Sequence, residues 1–337
     1  MDRGSKTCCI RSDRKMDELI RHLKDSQKVV LASHANPDGD AIGSLVAMGL
    51  SLKAMGKETL LYNESPIPAV YRFLPLVDRV VRRIEDPSRF DTAVVLDCGS
   101  LDRIGEAAAA VSQIPVILNI DHHVTNSAFG HVQLVDTEAC ATAEILWRLL
   151  GRLEVGLDES IASAIYTGIL TDTGSFRFSN TNRAAFAICT ELVALGVDPY
   201  IVAKHVYGTY SLGRIKLLNL ALDSIELSAN GRLSVMILTE QMLSETGTRP
   251  EDVDGLIHYA RSIKDVKVAA LIHEYPNGSG GRHGPRYHVS LRSDGSVDVA
   301  DFAAGFGGGG HPSAAGYSVE GRLPEVKSAL IRMAETL

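Results

Sequence analysis

Nowhere in this sequence does an apolar run approach the ~20 residues that a membrane-spanning helix requires, so no membrane partner is expected. Basic residues are not in excess either. The 34 Lys and Arg stand against 41 Asp and Glu, a formal net charge of −7. That balance excludes broad electrostatic capture of long nucleic acid and leaves a small anion held by a local pocket as the compatible partner. The five cysteines show no paired metal spacing, Cys8 and Cys9 being merely adjacent, and read as reduced thiols of a cytoplasmic protein. Residues 1–15 lack the apolar centre of a signal peptide and read as a frayed extension. Aromatic residues are sparse at 6%. Trp147 has helical spacing with Ile145 and Leu149 and reads as core; no other aromatic marks a stacking platform by sequence alone.

What the chain does have is enough length, 337 residues with 45% hydrophobic, for two domains with substantial cores. Residues 16–26 read as an amphipathic helix, 28–33 as a strand, 41–55 as a helix stopped by Gly56, and 58–62 as a second strand. Strands over 90–96 and 116–120 follow, then helices over 141–150, 160–170 and 183–195. This alternation indicates a parallel α/β sheet. The character changes over 208–223, read as a linker. Beyond it lie strand candidates 224–228, 233–239, 266–274 and 286–292, with helices at 251–263 and 324–336. A hairpin loop is expected at Asn277-Gly278-Ser279-Gly280-Gly281. The division is therefore a catalytic domain over 16–207 and a smaller α/β domain over 224–337.

Asn119-Ile120-Asp121-His122-His123 closes the strand at 116–120, where open α/β sheets place their ligands. Three further sites carry carboxylates: Ser33-His34-Ala35-Asn36-Pro37-Asp38-Gly39-Asp40, then Asp97, then Thr171-Asp172-Thr173-Gly174. Together they offer Asp38, Asp40, Asp97, Asp121 and Asp172 with His34, His122 and His123. Pro37 and Gly39 make a tight turn from which His34, Asp38 and Asp40 can converge. Any one Asp at a strand end is usually a cap or turn former: Asp40 could cap its helix and Asp172 could open a turn. Four such sites along one α/β domain make independent structural explanations unpersuasive. Mixed carboxylate and imidazole ligation suits Mn²⁺ or Mg²⁺ better than thiolate-binding metals, and the histidines tilt it towards Mn²⁺. Two such ions bind a phosphate and activate a water for in-line attack.

The set His34-x3-Asp38-x-Asp40, Asp97, Asp121-His122-His123 and Asp172-Thr173-Gly174 resembles the four motifs of the DHH phosphoesterase superfamily. Gly307-Gly308-Gly309-Gly310-His311, continued by Ala314-Ala315-Gly316, resembles the DHH-associated substrate domain. Domain order and length are most similar to the oligoribonucleases that degrade nanoRNA and also dephosphorylate adenosine 3′,5′-bisphosphate (pAp). The resemblance implies an active site in a cleft between the two domains. It implies two Mn²⁺, with Mg²⁺ or Co²⁺ as substitutes. His34, Asp38 and Asp97 would hold one, and Asp40, Asp97, His122 and Asp172 the other, with Asp97 as the bridge. It implies that His123 faces the substrate phosphate and that Asp121 orients the histidines.

On the substrate side, the glycine run can leave backbone N–H groups uncovered as a phosphate nest, with His311 beside it. Gly308, Gly309, Gly310 and His311 are the expected contacts, joined by Arg292 through the resemblance. Between Lys264 and Gly316 five Lys or Arg face five Asp or Glu, so no basic stripe tracks a long strand. The expected partners are thus short RNA oligonucleotides and pAp, with a homodimer as one allowed assembly. Hydrolysis of pApA and non-catalytic nucleotide sensing are the competing readings.

Overall fold

The computed structural model describes residues 3–253, 255–275, 285–335 and 337. They form two compact units that divide between Thr209 and Tyr210. The hairpin loop expected at Asn277–Gly281 lies outside the described residues.

In the first unit, α1 (Arg3–Asp25) precedes β1 (Lys28–Ser33), α2 (Gly39–Ala54), β2 (Glu58–Tyr62) and β3 (Thr92–Leu96). Next come α3 (Ala108–Val111), β4 (Val116–Asp121), β5 (Val132–Val135), α4 (Thr142–Arg152), α5 (Glu159–Asp172), α6 (Arg183–Ala194) and α7 (Pro199–Tyr207). The helix expected from residue 16 thus starts at Arg3. The five strands are all parallel, in the order β2-β1-β3-β4-β5. Each central strand is apolar on both sides because both faces are covered. Val29, Leu31, Val94, Leu96, Leu118 and Ile120 pack into the core beneath α2, α4 and α5. Val30, Ala32, Ala93, Val95 and Ile117 face a second core with Ile104 and Val111.

This strand order fixes where a ligand can sit. The chain runs from β1 outward to β2 and returns to the far side of β1 as β3, so the β1/β3 boundary is the topological switch point. Ser33 pairs with Leu96, and Leu96 with Ile120. The residues that follow, His34, Asp97 and Asp121 (the last of β4), therefore stand at one level at this end of the sheet.

In the second unit, α8 (Leu212–Asp223) is followed by β6 (Glu226–Leu227), β7 (Leu233–Leu238), α9 (Glu240–Thr246), α10 (Ile257–Arg261), β8 (Val268–Tyr275) and β9 (Arg286–Ser293). Then come α11 (Val299–Ala304), β10 (Gly309–His311), β11 (Ala314–Glu320) and α12 (Leu323–Ala334). The stretch read as a linker is thus mostly the helix α8. The single helix expected over 251–263 is broken, with Gly255 at φ +80° just before α10. The mixed sheet has the order β10-β11-β9-β8-β7-β6. One face is roofed by α11 and α12, through Val299, Ala303, Val326 and Leu330.

Close helix crossing brings the first unit's carboxylates together. A Cβ added to Gly43 of α2 would lie 2.4 Å from the carbonyl oxygen of Ala164 on α5. Gly43→Val should therefore force the helices apart and cost at least ~1–3 kcal/mol, lowering Tm by several degrees. Gly151, inside α4 with open space around its absent Cβ, should instead tolerate alanine and gain ~0.4–1 kcal/mol. Thermal unfolding of both variants checks the pair, and equal destabilisation would count against the close-crossing account.

Candidate metal centre

His34 leaves β1 buried, and its Nδ1–H donates to the Ala35 carbonyl at 2.9 Å. That bond turns Nε2 inward, 3.5 Å from Asp97 Oδ2 and 3.9 Å from Asp38 Oδ1. Asp38, rather than Asp40, caps α2: its Oδ1 accepts from the amides of Asp40 and Ala41, both at 3.0 Å. Asp40 is buried in the first helical turn. There it accepts from the amides of Thr142 at 2.6 Å and Ala143 at 3.0 Å, the first two of α4. The positive end of one helix thus faces the acid of another.

Asp97 sits at the centre. It has φ +56°, a left-handed conformation costly for a residue with a Cβ and most readily accepted by Asn and Asp. Its amide donates to the Ile120 carbonyl at 3.0 Å and its Oδ1 accepts from Thr142 Oγ1 at 3.0 Å. Its two oxygens look two ways. Oδ2 faces His34, while Oδ1 faces His122 Nε2 at 3.6 Å and His123 Nδ1 at 3.7 Å. His122 Nδ1 donates to the Ala139 carbonyl at 3.3 Å, and its Nε2 lies 3.6 Å from Asp172 Oδ2 at the end of α5. Asp172 is followed by three left-handed residues, Gly174, Ser175 and Phe176.

His123 is held differently. Its Nδ1 lies 2.6 Å from Asp121 Oδ1, and the other oxygen of Asp121 accepts from Asn126 Nδ2 at 2.6 Å. Asp121 is fully buried and reaches the other groups through His123. Sequence reasoning missed Asn126, Thr142 and Asn180, whose Nδ2 donates to Asp172 Oδ2 at 3.1 Å. Each is an isolated polar residue without a motif of its own.

The electrostatics describe a site built around positive charge. Burial, then the charges of Asp97 and Asp172, pushes Asp40 well above the usual carboxylate range. Burial lifts Asp172 to about 6, against the pull of His122. Burial also opposes the charge of Asp97, but His34, His123 and His122 hold it well below the usual range. For His122, burial is outweighed by Asp172, Asp97 and Asp40, which raise it to about 10. Two ligand sets form, His34–Asp38–Asp97 and Asp40–His122–Asp172, each with donor atoms within 4.8 Å of one another; Asp97 also groups with His122 and His123. Oxygen and imidazole donors in this excess of carboxylate fit a hard or borderline divalent cation.

Comparison with known proteins agrees with this chemistry. The N-terminal domain of the DHH family matches residues 28–169, and the DHHA1 domain matches residues 233–336. The bifunctional oligoribonuclease and PAP phosphatase NrnA of Thermus thermophilus is 32% identical over 87% of this chain and 84% of its own length. The chain belongs to the DHH family. The Bacillus subtilis protein that bears the same name as the Thermus relative is 27% identical, over 90% of this chain and 92% of its own length. The crystal structure of an exopolyphosphatase-related protein from Bacteroides fragilis superposes with a TM-score of 0.85 at 26% identity, covering 96% of each chain. This DHH protein is a metal-dependent phosphoesterase.

In the DHHA1 domain the glycine run does not stay uncovered throughout. The amides of Gly307 and Gly308 donate to the carbonyls of Ala304 and Ala303, at 3.0 and 2.9 Å, and so close the end of α11. A nest built on all four glycines is therefore reduced, because two of its donors are spent on the helix stop. Gly309, Gly310 and His311 form β10 against β11. His311 pairs with Ala314, and Ala314 with Arg292. These residues stand in one row across three strands, and their side chains share a face.

Metal analysis after purification tests the ligand sets. Asp97→Ala should lose bound divalent metal, whereas Asn126→Ala should keep it and lower kcat by about 10–100-fold, the usual penalty for losing an outer hydrogen bond. Metal loss in Asn126→Ala matching that in Asp97→Ala would overturn this division.

Proposed function

We propose that this DHH phosphoesterase uses two Mn²⁺ to hydrolyse very short RNA to mononucleotides and to remove a phosphate from pAp. The observation that carries the reading is Asp97, whose two oxygens face separate histidines. A carboxylate so placed suits bridging between the set with His34 and Asp38 and the set with Asp40, His122 and Asp172. The names borne by the Thermus and Bacillus relatives, matched over 84% and 92% of their lengths, support the substrate class.

When bound, the two ions would acidify a water and neutralise phosphate charge. The chain's own groups do the rest. The first amides of α4 and the hydroxyl of Thr142 fix Asp40 and Asp97, so that neither carboxylate can turn away. Asp121, itself held by Asn126, fixes the plane of the His123 ring. With Nδ1 turned to Asp121, Nε2 is the nitrogen that would donate to a phosphoryl oxygen as charge develops there, a contribution of ~10²–10³ in rate for one such donor. Arg292, His311 and the β10 glycines would contact the end of the substrate.

A side-by-side rate comparison decides the substrate: pAp, a diribonucleotide, pApA, inorganic pyrophosphate and polyphosphate, each with Mn²⁺ and with Mg²⁺. Diribonucleotide and pAp should be the best substrates, with Mn²⁺ above Mg²⁺, and rate per molecule should fall beyond about five nucleotides, since no basic track extends the contact. Hydrolysis of a long single strand as fast as a dinucleotide, or turnover of pyrophosphate alone, would refute the reading. His123→Ala should retain metal and lose rate, whereas His122→Ala should lose metal.

A further inference from the structure

The DHHA1 sheet is covered unequally. On the side opposite α11 and α12, the apolar cluster with α8, α9 and α10 draws on Met236 and Leu238 of β7 and Ala269 and Leu271 of β8. Among the described residues, it takes nothing from β9, β10 or β11. Strand alternation puts Arg286, His288, Ser290 and Arg292 of β9 on that same side, while Tyr287, Val289 and Leu291 are buried on the other. The β11 partners of His288, Ser290 and Arg292, namely Ser318, Gly316 and Ala314, are small, while Arg286 pairs with Glu320. The result is a low floor with tall side chains at its margins.

Three rings gather at the β8 margin. His273 pairs with His288 and Tyr275 with Arg286. The rings of His273 and Tyr275 lie 4.7 Å apart, and those of Tyr275 and His288 lie 6.4 Å apart at 81°. Tyr275 is 37% exposed. His288 leans over Gly316, where an added Cβ would come within 3.2 Å of its Nε2, and its Nδ1 lies 3.3 Å from Ser318 Oγ. Burial, then Arg292 and Arg286, lowers His288 below the usual imidazole range, and burial with His288 nearby pushes His273 down to about 4. At neutral pH both rings are uncharged, and His288 stands between Arg286 and Arg292 on its face of β9. Neutral aromatic faces flanked by arginine are the composition that stacks a nucleobase while drawing in its phosphates.

We propose that Tyr275 and His288 form a nucleobase-stacking surface on the β8–β9 part of the DHHA1 sheet, on the side away from α11 and α12. It rests on the reading that the substrate is a short ribonucleotide. His288 and Arg292 are four residues apart on β9, about 14 Å at ~3.4 Å per residue. A base on the rings and a phosphate at Arg292 can therefore be held together without competing. The site selects for a base rather than for phosphate alone.

Equilibrium binding to the full chain in EDTA, where turnover is blocked, tests this with 5′-phosphorylated diadenylate and its abasic counterpart. Wild type should prefer the diadenylate. Tyr275→Ala and His288→Ala should each weaken its binding about 5- to 100-fold, the range of one base–aromatic stack, and leave the abasic ligand unaffected. Tyr275→Phe and His288→Phe, which keep a ring, should bind near wild-type strength. Equal wild-type affinity for the two ligands, no binding of diadenylate, or alanine variants indistinguishable from wild type would overturn the proposal. Turnover with Mn²⁺ is read separately. Base-dependent binding without hydrolysis of any short RNA or pAp would sink the proposed function and leave the stacking surface standing.

Discussion

Crowding of carboxylates at one end of the first sheet is the constraint on which the rest of this unit depends. Two like charges ~4 Å apart repel by ~4 kcal/mol at an effective dielectric near 20, and Asp40, Asp97 and Asp172 are brought together where Asp40 and Asp97 are buried. The fold answers with fixed positive ends. The α4 amides meet Asp40, and three imidazoles ring Asp97. That compensation is incomplete, as the raised Asp40 and Asp172 record. A site left so rich in anionic oxygen is organised for divalent cations, and the close α2–α5 crossing at Gly43 serves to deliver Asp40 and Asp172 to it.

The parallel sheet explains why one short stretch of backbone can set so much chemistry. β1, β3 and β4 are in register, so His34 and Asp97, one residue past β1 and β3, arrive level with Asp121, the last residue of β4. Asp97 turns into the site through a left-handed residue, an arrangement that costs ~1–3 kcal/mol and persists where surrounding bonds over-determine it. The amide bond to Ile120 and the Thr142 hydroxyl supply that restraint. Backbone strain and ligand geometry are here the same feature.

Much of this was legible before any coordinates. β1 and β2 fall at the expected residues, because continuous apolar runs bounded by turn signals define a buried strand. The eight acidic and imidazole groups were legible as a set, since each lies at or near a strand or helix end. Elements with little burial were not. β5 has four residues and alternates buried with half-buried, and α8 buries only Leu217 and Ala221, too few to show a period. The glycine run signalled a special backbone but not its use, because a helix stop, an edge strand and a nest share one composition. Asn126, Thr142 and Asn180 matter through partners on other elements, information that local sequence does not contain.

The adjacent histidines show how such partners divide labour. His34 and His122 each give Nδ1–H to a main-chain carbonyl, which fixes the ring and turns Nε2 toward Asp97. His123 instead gives Nδ1 to Asp121, whose second oxygen is taken by Asn126. Rotating the ring to bring Nδ1 to a metal would break a 2.6 Å bond and leave a fully buried carboxylate with one partner fewer. Loss of such a bond to a charged group is worth roughly 1.5–3 kcal/mol, enough to keep the ring where it is. His122 and His123 are consecutive in the chain, and the hydrogen bond behind each ring, rather than its position in the sequence, assigns the work.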